Sequence, residues 1–177
     1  MNIKPTIIVS GDPYGTFYEI FFKVLKKKKF KRPIILIGSK KTILNQIKKF
    51  KHRFKINNIY LNELDINQIK KLDNKNINLI DVNFNEKEKS IDLIRNYIEN
   101  CFKIGLQLIS EFKCSGLING PVNKKRFLNF KKPGITEYLA NKYKIRNFAM
   151  LIYNRNLSVC PITTHLPIKD VHKYINK

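Results

Sequence analysis

Four short segments carry most of the side chains able to do chemistry. They are Gly11-Asp12-Pro13-Tyr14-Gly15, Gly120-Pro121-Val122-Asn123-Lys124, Gly134-Ile135-Thr136-Glu137 and Thr163-Thr164-His165-Leu166-Pro167. His165 is the sharpest candidate, because a neutral imidazole presented at a strand end suits Zn²⁺ or a similar divalent ion. One histidine does not make a metal site, however; His172 is expected on the following helix and His52 in a lysine-rich surface segment. Lys124 can reach a phosphate or carboxylate, or move a proton if its pKa is lowered. Asn123 offers both a donor and an acceptor. Asp12 can bind a hydroxyl, an ammonium or a cation, and can equally close an Asx-type turn on its own backbone. Thr136 can cap a helix running from Glu137 to Lys142, or hold an anionic group at that helix start.

The elements that must position these residues follow from hydrophobic periodicity. Short β-branched runs alternate with longer helical ones, which predicts an α/β fold with a largely parallel sheet. Thr6-Ile7-Ile8-Val9 and Pro33 to Gly38 read as buried strands; Asn58 to Leu61 and Asn78 to Val82 read as shorter ones. Leu117-Ile118 reads as a short buried strand leading into Gly120. A helix from Tyr18 to Lys27 has Ile20, Phe21 and Val24 spaced for one face, and Ser39 can cap a helix carrying Ile43, Ile47 and Phe50. The longest helix runs from about Ser90 to Lys113, with a stripe through Ile91, Ile94, Ile98, Cys101, Gly105, Leu108 and Phe112, widened by Tyr97 and Ile104. Ala149 to Tyr153 and Leu157 to Cys160 pair across Asn154-Arg155-Asn156 as a hairpin. The G-x-G-x-x-G fingerprint of an ordinary dinucleotide fold is absent.

Composition bounds the function. A chain of 177 residues with 43% hydrophobic residues can bury roughly 70% of its unfolded surface. It contains no apolar run of about 18 residues and no signal-peptide core, so a cytoplasmic protein is expected. Cys101, Cys114 and Cys160 are too far apart for a C-x-x-C metal or redox motif and read as small buried hydrophobes. The formal charge of +22 invites a nucleic-acid reading. Yet the cations are overwhelmingly Lys and rise together with Asn and Ile, the footprint of A/T-heavy codons. No recognition helix or RNP-like motif accompanies them, so no specific nucleic-acid partner is expected.

Taken together, the segments resemble the 4-hydroxythreonine-4-phosphate dehydrogenase family of pyridoxal-phosphate biosynthesis. Gly11-Asp12-Pro13 with Gly15 and Glu19-Ile20 resembles its N-terminal G-D-P-A-G-I-G-P-E-I signature. Leu117 to Lys124 resembles its T-G-P-V-N-K segment, Thr136-Glu137-Tyr138-Leu139 its G-H-T-E-x-L segment, and Thr163 to Pro167 its T-T-H-[LM]-P segment. Two departures stand out. Ile135 replaces the histidine before Thr-Glu, and Thr16-Phe17-Tyr18 replaces a compact I-G-P, which would set bulky aromatics beside the pocket.

The resemblance implies an isocitrate/isopropylmalate-dehydrogenase-like α/β fold, a mostly parallel sheet flanked by helices. Residues 1–177 would form a single incomplete α/β unit, the N-terminal portion of a longer, homodimeric dehydrogenase. It implies NAD and a divalent metal (Zn, Mg or Mn) as cofactors, a phosphorylated small-molecule substrate, and no membrane. By residue matching His165 is the implied metal ligand, Thr136 and Asp12 implied substrate contacts, and Asn123 and Lys124 implied catalytic residues; the NAD-binding residues and remaining metal histidines would lie C-terminal to this chain. The implied reaction is oxidation of 4-phosphooxy-threonine and decarboxylation to 3-amino-2-oxopropyl phosphate, in which a metal polarises the reacting oxygen. The 177-residue chain alone is expected to be inactive. Ile135 keeps open a related dehydrogenase of another phosphorylated hydroxy acid, and the lysines keep open a noncatalytic remnant binding a partner or anionic polymer.

Overall fold

The computed structural model describes residues 4–88, 90–128, 134–163, 166–173 and 175. His165 and Thr164 lie outside the described residues. The chain divides into two compact units, Met1–Phe127 and Leu128–Lys177.

The first unit is built on five parallel strands: β1 (Thr6–Val9), β2 (Ile34–Gly38), β3 (Ile56–Asn58), β4 (Ile77–Asp81) and β5 (Gly116–Asn119). Their order across the sheet is β3-β4-β2-β1-β5. Between them run α1 (Phe17–Lys27), α2 (Lys40–Lys49), α3 (Ile66–Lys71) and α4 (Ile91–Phe112), and α5 (Lys124–Leu128) follows β5. The chain steps from β1 to β2 in one direction, then returns across the sheet from β4 to β5. Right-handed crossovers therefore place α1 and α4 on opposite faces. One face carries Ile8, Leu36, Ile77 and Leu79 against Phe17, Tyr18, Phe21 and Phe22 of α1 and Ile43 and Ile47 of α2. On the other, α4 packs on β1, β2 and β5 with Ile94, Tyr97, Ile98, Cys101, Phe102 and Leu108 buried.

Helix ends follow local chemistry. Ser39 caps α2 by accepting from the Thr42 N–H at 3.3 Å, and Lys48 and Lys49 lie in its last turn, where cations suit the macrodipole. Asp65 and Gln68 form a reciprocal capping box that stabilises α3, a helix of six residues too short to stand on propensity alone.

Several expectations need correction. Of the Ile20, Phe21, Val24 stripe only Phe21 is buried; Phe17, Tyr18 and Phe22 fill the core instead, so the buried face of α1 is rotated toward its aromatic residues. The strand expected from Asn58 lies earlier, at Ile56–Asn58, because Tyr60 to Glu63 turn away from the sheet. β5 is present, but Ile118 is 54% exposed because β5 is the sheet's edge. Only Cys101 is a buried cysteine; Cys114 is half-buried and Cys160 exposed, and all three are free. Burial pushes the Cys101 thiol up to about 12, which leaves it unreactive.

In the second unit, α6 (Ile135–Lys142) precedes an antiparallel hairpin of β6 (Ile152–Tyr153) and β7 (Ser158–Val159), followed by a 3₁₀ helix, Ile168–Lys173. The hairpin turns at Asn154 to Asn156, as expected, with the Asn154 N–H donating to the Leu157 carbonyl at 3.1 Å. No described helix is long and apolar enough to cross a membrane.

Candidate functional site

In a parallel sheet whose crossovers reverse direction, a crevice opens at the carboxyl ends of the strands where the reversal occurs. Here the reversal falls between β1 and β5. The two loops that leave those strands are the Gly11 to Gly15 and Gly120 to Asn123 segments, so the sheet order brings together two of the four segments singled out by chemistry.

Backbone hydrogen bonds weld these loops together. The Gly120 N–H donates to the Val9 carbonyl at 2.7 Å, and the Asp12 N–H donates to the Pro121 carbonyl at 2.9 Å. Glycine is required at both crossings. Gly11 has φ +75°, and a Cβ there would collide with the Pro121 carbonyl oxygen; a Cβ on Gly120 would collide with the Ser10 carbonyl oxygen. The close approach of two backbones thus fixes glycine at both positions.

Asp12 is 5% exposed, and its Oδ1 accepts from the Tyr14 N–H at 2.9 Å while its carbonyl accepts from Gly15. Its carboxylate closes the Asx-type turn, one of the two roles its position allowed. Asn123 is exposed and accepts from the Arg126 N–H at 3.1 Å, which caps the start of α5. Lys124 is the first residue of α5 and is exposed. Arg95 secures that short helix to α4. Its guanidinium donates to the carbonyls of Phe127 and Arg126, at 3.3 and 3.4 Å, and pairs with Asp92 at 2.9 Å.

Below the loops lies a buried hydroxyl cluster not anticipated from the sequence. Ser10 Oγ and Tyr97 Oη share a hydrogen bond of 2.9 Å, and Tyr97 Oη accepts from the Ser39 N–H at 2.9 Å. One side chain on α4 thereby ties the end of β1 to the start of α2. Burial pushes the Tyr18 hydroxyl up to about 12, with Ser10 and Tyr97 opposing the shift, and burial likewise raises Tyr97. Phe17 and Tyr18, expected to crowd the pocket, point into the core beneath it because they form the first turn of α1.

The sequence also missed Tyr14 and Arg126. With Ile91 and Ile94 they line a cavity of about 330 Å³. Tyr14 stacks edge-on to Phe84 at 5.8 Å and donates to the Glu86 carbonyl at 3.2 Å. Burial raises the Tyr14 pKa, as do the Glu86 and Asp12 carboxylates. Both residues stood inside or beside the motifs already singled out, and their adjacency depends on a sheet order that spacing does not encode.

In the second unit, Thr136 is exposed and lies inside α6, whose N-cap is Gly134 in extended conformation. The expected threonine cap is therefore not formed; the helix begins at Ile135, two residues earlier than a cap at Thr136 would need. Glu137 lies in the first turn, where its charge suits the helix dipole. His172 is exposed on the 3₁₀ helix. His52 is half-buried against Phe22, Phe50 and Phe54, which corrects its placement in a surface segment.

A doubly wound parallel sheet with two welded loops at its switch point places the chain in the α/β class. The comparisons fix the family. The model for pyridoxal phosphate biosynthetic protein PdxA matches residues 29–177, and the chain belongs to that family. The 4-hydroxythreonine-4-phosphate dehydrogenase of Aquifex aeolicus is 29% identical over 182 residues, covering 100% of this chain and 54% of the relative. That of Sulfurihydrogenibium sp. is 34% identical, covering 96% and 52%. Solved structures of 4-hydroxythreonine-4-phosphate dehydrogenases from Burkholderia phymatum and Klebsiella pneumoniae superpose with TM-scores of 0.75 and 0.74 at 22% identity. They cover 97% and 98% of this chain and 53% and 54% of their own. The chain spans about half the length of the relatives it matches.

Proposed function

We propose that this chain is the N-terminal portion of a dehydrogenase that oxidises and decarboxylates 4-phosphooxy-threonine to 3-amino-2-oxopropyl phosphate, with NAD as electron acceptor and a divalent ion. The observation that carries the reading is the PdxA family match together with the welded Gly11 and Gly120 loops at the switch point. In this reading Asp12 shapes the substrate loop, Asn123 and Lys124 present polar groups from the start of α5, Thr136 contacts substrate from α6, and His165 is one metal ligand. Among the described residues no group of three His, Cys, Asp or Glu side chains is placed to hold a metal ion. The described side chains therefore do not constitute a metal centre, and no chemical step is assigned to one. Two sources of ligands remain, His165 and polypeptide of the kind that makes up the rest of the relatives.

A second reading rests on Ile135, half-buried at the first position of α6, whose aliphatic side chain gives no hydrogen bond to a substrate. It favours a related dehydrogenase acting on another phosphorylated hydroxy acid, working as a homodimer in either case.

NADH production followed by absorbance tests both readings, with 4-phosphooxy-threonine or a four-carbon sugar-acid phosphate and Zn²⁺, Mg²⁺ or Mn²⁺. The 177-residue chain alone is expected to give none. Co-expression with the part of the Aquifex aeolicus relative outside the matched 54% is expected to give turnover on the first substrate. Turnover only on the second would select the other reading, and NADH from the chain alone would overturn the expectation of inactivity.

A further inference from the structure

The switch-point loops stand at the carboxyl ends of the strands. At the opposite, amino-terminal ends, the starts of β2 and β4 and the end of α1 border a cavity of about 460 Å³. Its floor is apolar, made by Phe21, Leu25, Phe54, Ile34 and Ile77. Its rim is polar and of one charge sign: Lys28, Lys29 and Lys75 line it with Asn74, Asn76 and Asn78, and no described carboxylate does. Lys75 lies 3.7 Å from Asp73 in an exposed pair, which water and salt weaken. Among the described residues no carboxylate pairs with Lys28 or Lys29. Both belong to the run Lys26-Lys27-Lys28-Lys29-Phe30-Lys31-Arg32, where cations flank a single aromatic ring. That ring, Phe30, lines the cavity and is 39% exposed, so it stands at the mouth.

Side-chain amides fix this rim in place. Asn74 Nδ2 donates to the Phe30 and Arg32 carbonyls at 2.9 and 2.7 Å, and Asn74 Oδ1 accepts from the Ile34 N–H at 2.9 Å. One residue of the loop before β4 thus pins the basic run on both sides of Lys31. Asn78, 3% exposed, donates to the Ile34 and Asp73 carbonyls at 3.1 and 2.6 Å and accepts from the Asn57 amide at 2.9 Å. The backbone that carries Phe30 and the lysines is therefore ordered before a ligand arrives, which lowers the entropic cost of binding. Asn76 is exposed, and its side-chain amide has no partner among the described residues.

We infer that this cavity binds a nucleoside monophosphate, with its base against Phe30 and the apolar floor and its phosphate on Lys28 and Lys29. Each part of the site selects one part of the ligand. A monophosphate carries close to two negative charges at neutral pH, which two unpaired lysines match. A base supplies the planar face that stacks on an aromatic ring. Ribose hydroxyls suit the donor and acceptor that Asn76 leaves open. The volume falls in the range of small-molecule pockets. The cavity lies at the other end of the strands from the Gly11 and Gly120 loops, so its occupancy is independent of the proposed reaction.

Because lysine is abundant throughout the chain, the test must separate this rim from charge in general. Calorimetric titration of the 177-residue chain with AMP and CMP, at an ionic strength of about 0.15 M, is expected to give one-to-one binding of at least one of them with Kd below about 1 mM. That nucleotide is expected to bind at least about tenfold more tightly than inorganic phosphate or its own unphosphorylated nucleoside, each of which carries part of the chemistry. Lys28→Gln/Lys29→Gln is expected to weaken binding at least about tenfold and Phe30→Ala at least about fivefold. Lys40→Gln/Lys41→Gln, which removes as much charge at the other end of β2, is expected to change it by less than about twofold. None of these five side chains is buried, so the variants are expected to keep the wild-type circular dichroism. Four results would overturn the inference: no saturable binding of either nucleotide, inorganic phosphate binding as tightly, equal weakening by the two lysine pairs, or a single-stranded oligonucleotide binding at least about tenfold more tightly than AMP and CMP. None of them bears on NADH production, so this inference and the proposed reaction fail separately.

Discussion

The two units of this chain are built on different physical terms. Nearly every buried hydrophobic side chain belongs to residues 4–127, packed on both faces of a five-stranded sheet. In the second unit the buried described hydrophobics are Leu128 and Ala140, while Leu151, Tyr153, Leu157, Ile162 and Ile168 are each more than 60% exposed. A lone two-stranded hairpin is marginal in water. The difference teaches that the loops at the switch point are held by a core beneath them, whereas among the described residues of the second unit no comparable core lies beside the helix that carries Thr136. Family motifs of similar quality therefore rest on scaffolds of unequal rigidity.

The largest predicted effect tests that contrast directly. Phe22 is fully buried among Tyr18, Phe21 and Phe54, so Phe22→Ala is expected to destabilise the first unit by about 3–5 kcal/mol in urea unfolding. Leu157→Ala is expected to change stability by less than about 0.5 kcal/mol, since its side chain is 69% exposed. Comparable losses for the two variants would break the comparison, by showing that the hairpin is packed in solution.

Next in size is Gly11→Ala. A left-handed backbone at φ +75° and the overlap with the Pro121 carbonyl together predict a loss of about 2 kcal/mol or more. The same experiment sharpens the picture of the welded loops, because hydrogen exchange should accelerate at the Asp12 and Gly120 amides before it does in β2. Uniform acceleration across the sheet would mean that the loop crossing is no more than another part of the global fold.

The contrast also explains what was legible in the sequence. β1, β2, β4, α2 and the length of α4 were readable because their hydrophobic pattern agrees with burial there. The loops after β1 and β5 were readable for the same reason, since Gly and Pro punctuate strands already found. What spacing did not reveal was adjacency. That Tyr97 would reach Ser10 and Ser39, or that Tyr14 and Arg126 would line one cavity, depends on the order β3-β4-β2-β1-β5. The misplaced face of α1 has a different cause. Ile20 and Val24 carry a correct helical period, but periodicity says only that a face is apolar, not that this chain supplies what covers it. The family resemblance reached furthest, naming the fold and family on motifs that local chemistry left ambiguous, and its sharpest residue, His165, lies outside the described residues.

The smallest predicted effect concerns His52, the one described histidine held against the core. Its ring lies 5.3 Å from Phe22 and 5.4 Å from Phe54, edge-on to both, and 6.3 Å from Phe50. Burial among these rings lowers its pKa below the ordinary 6.5, and the Lys26 charge adds to the shift. A depressed basic pKa means that the unfolded chain binds the proton more readily than the folded one. Stability must then fall as pH drops through 6.5 toward the lower folded value, and must be insensitive to this residue above that range, where it is neutral in both states. The urea midpoint is therefore expected to decline modestly from pH 7.5 to 5.5. Because an aromatic side chain suits this pocket, His52→Phe should keep the fold while flattening that decline. An unchanged slope in His52→Phe would assign the pH dependence elsewhere and leave the first unit without a titrating group in its aromatic core.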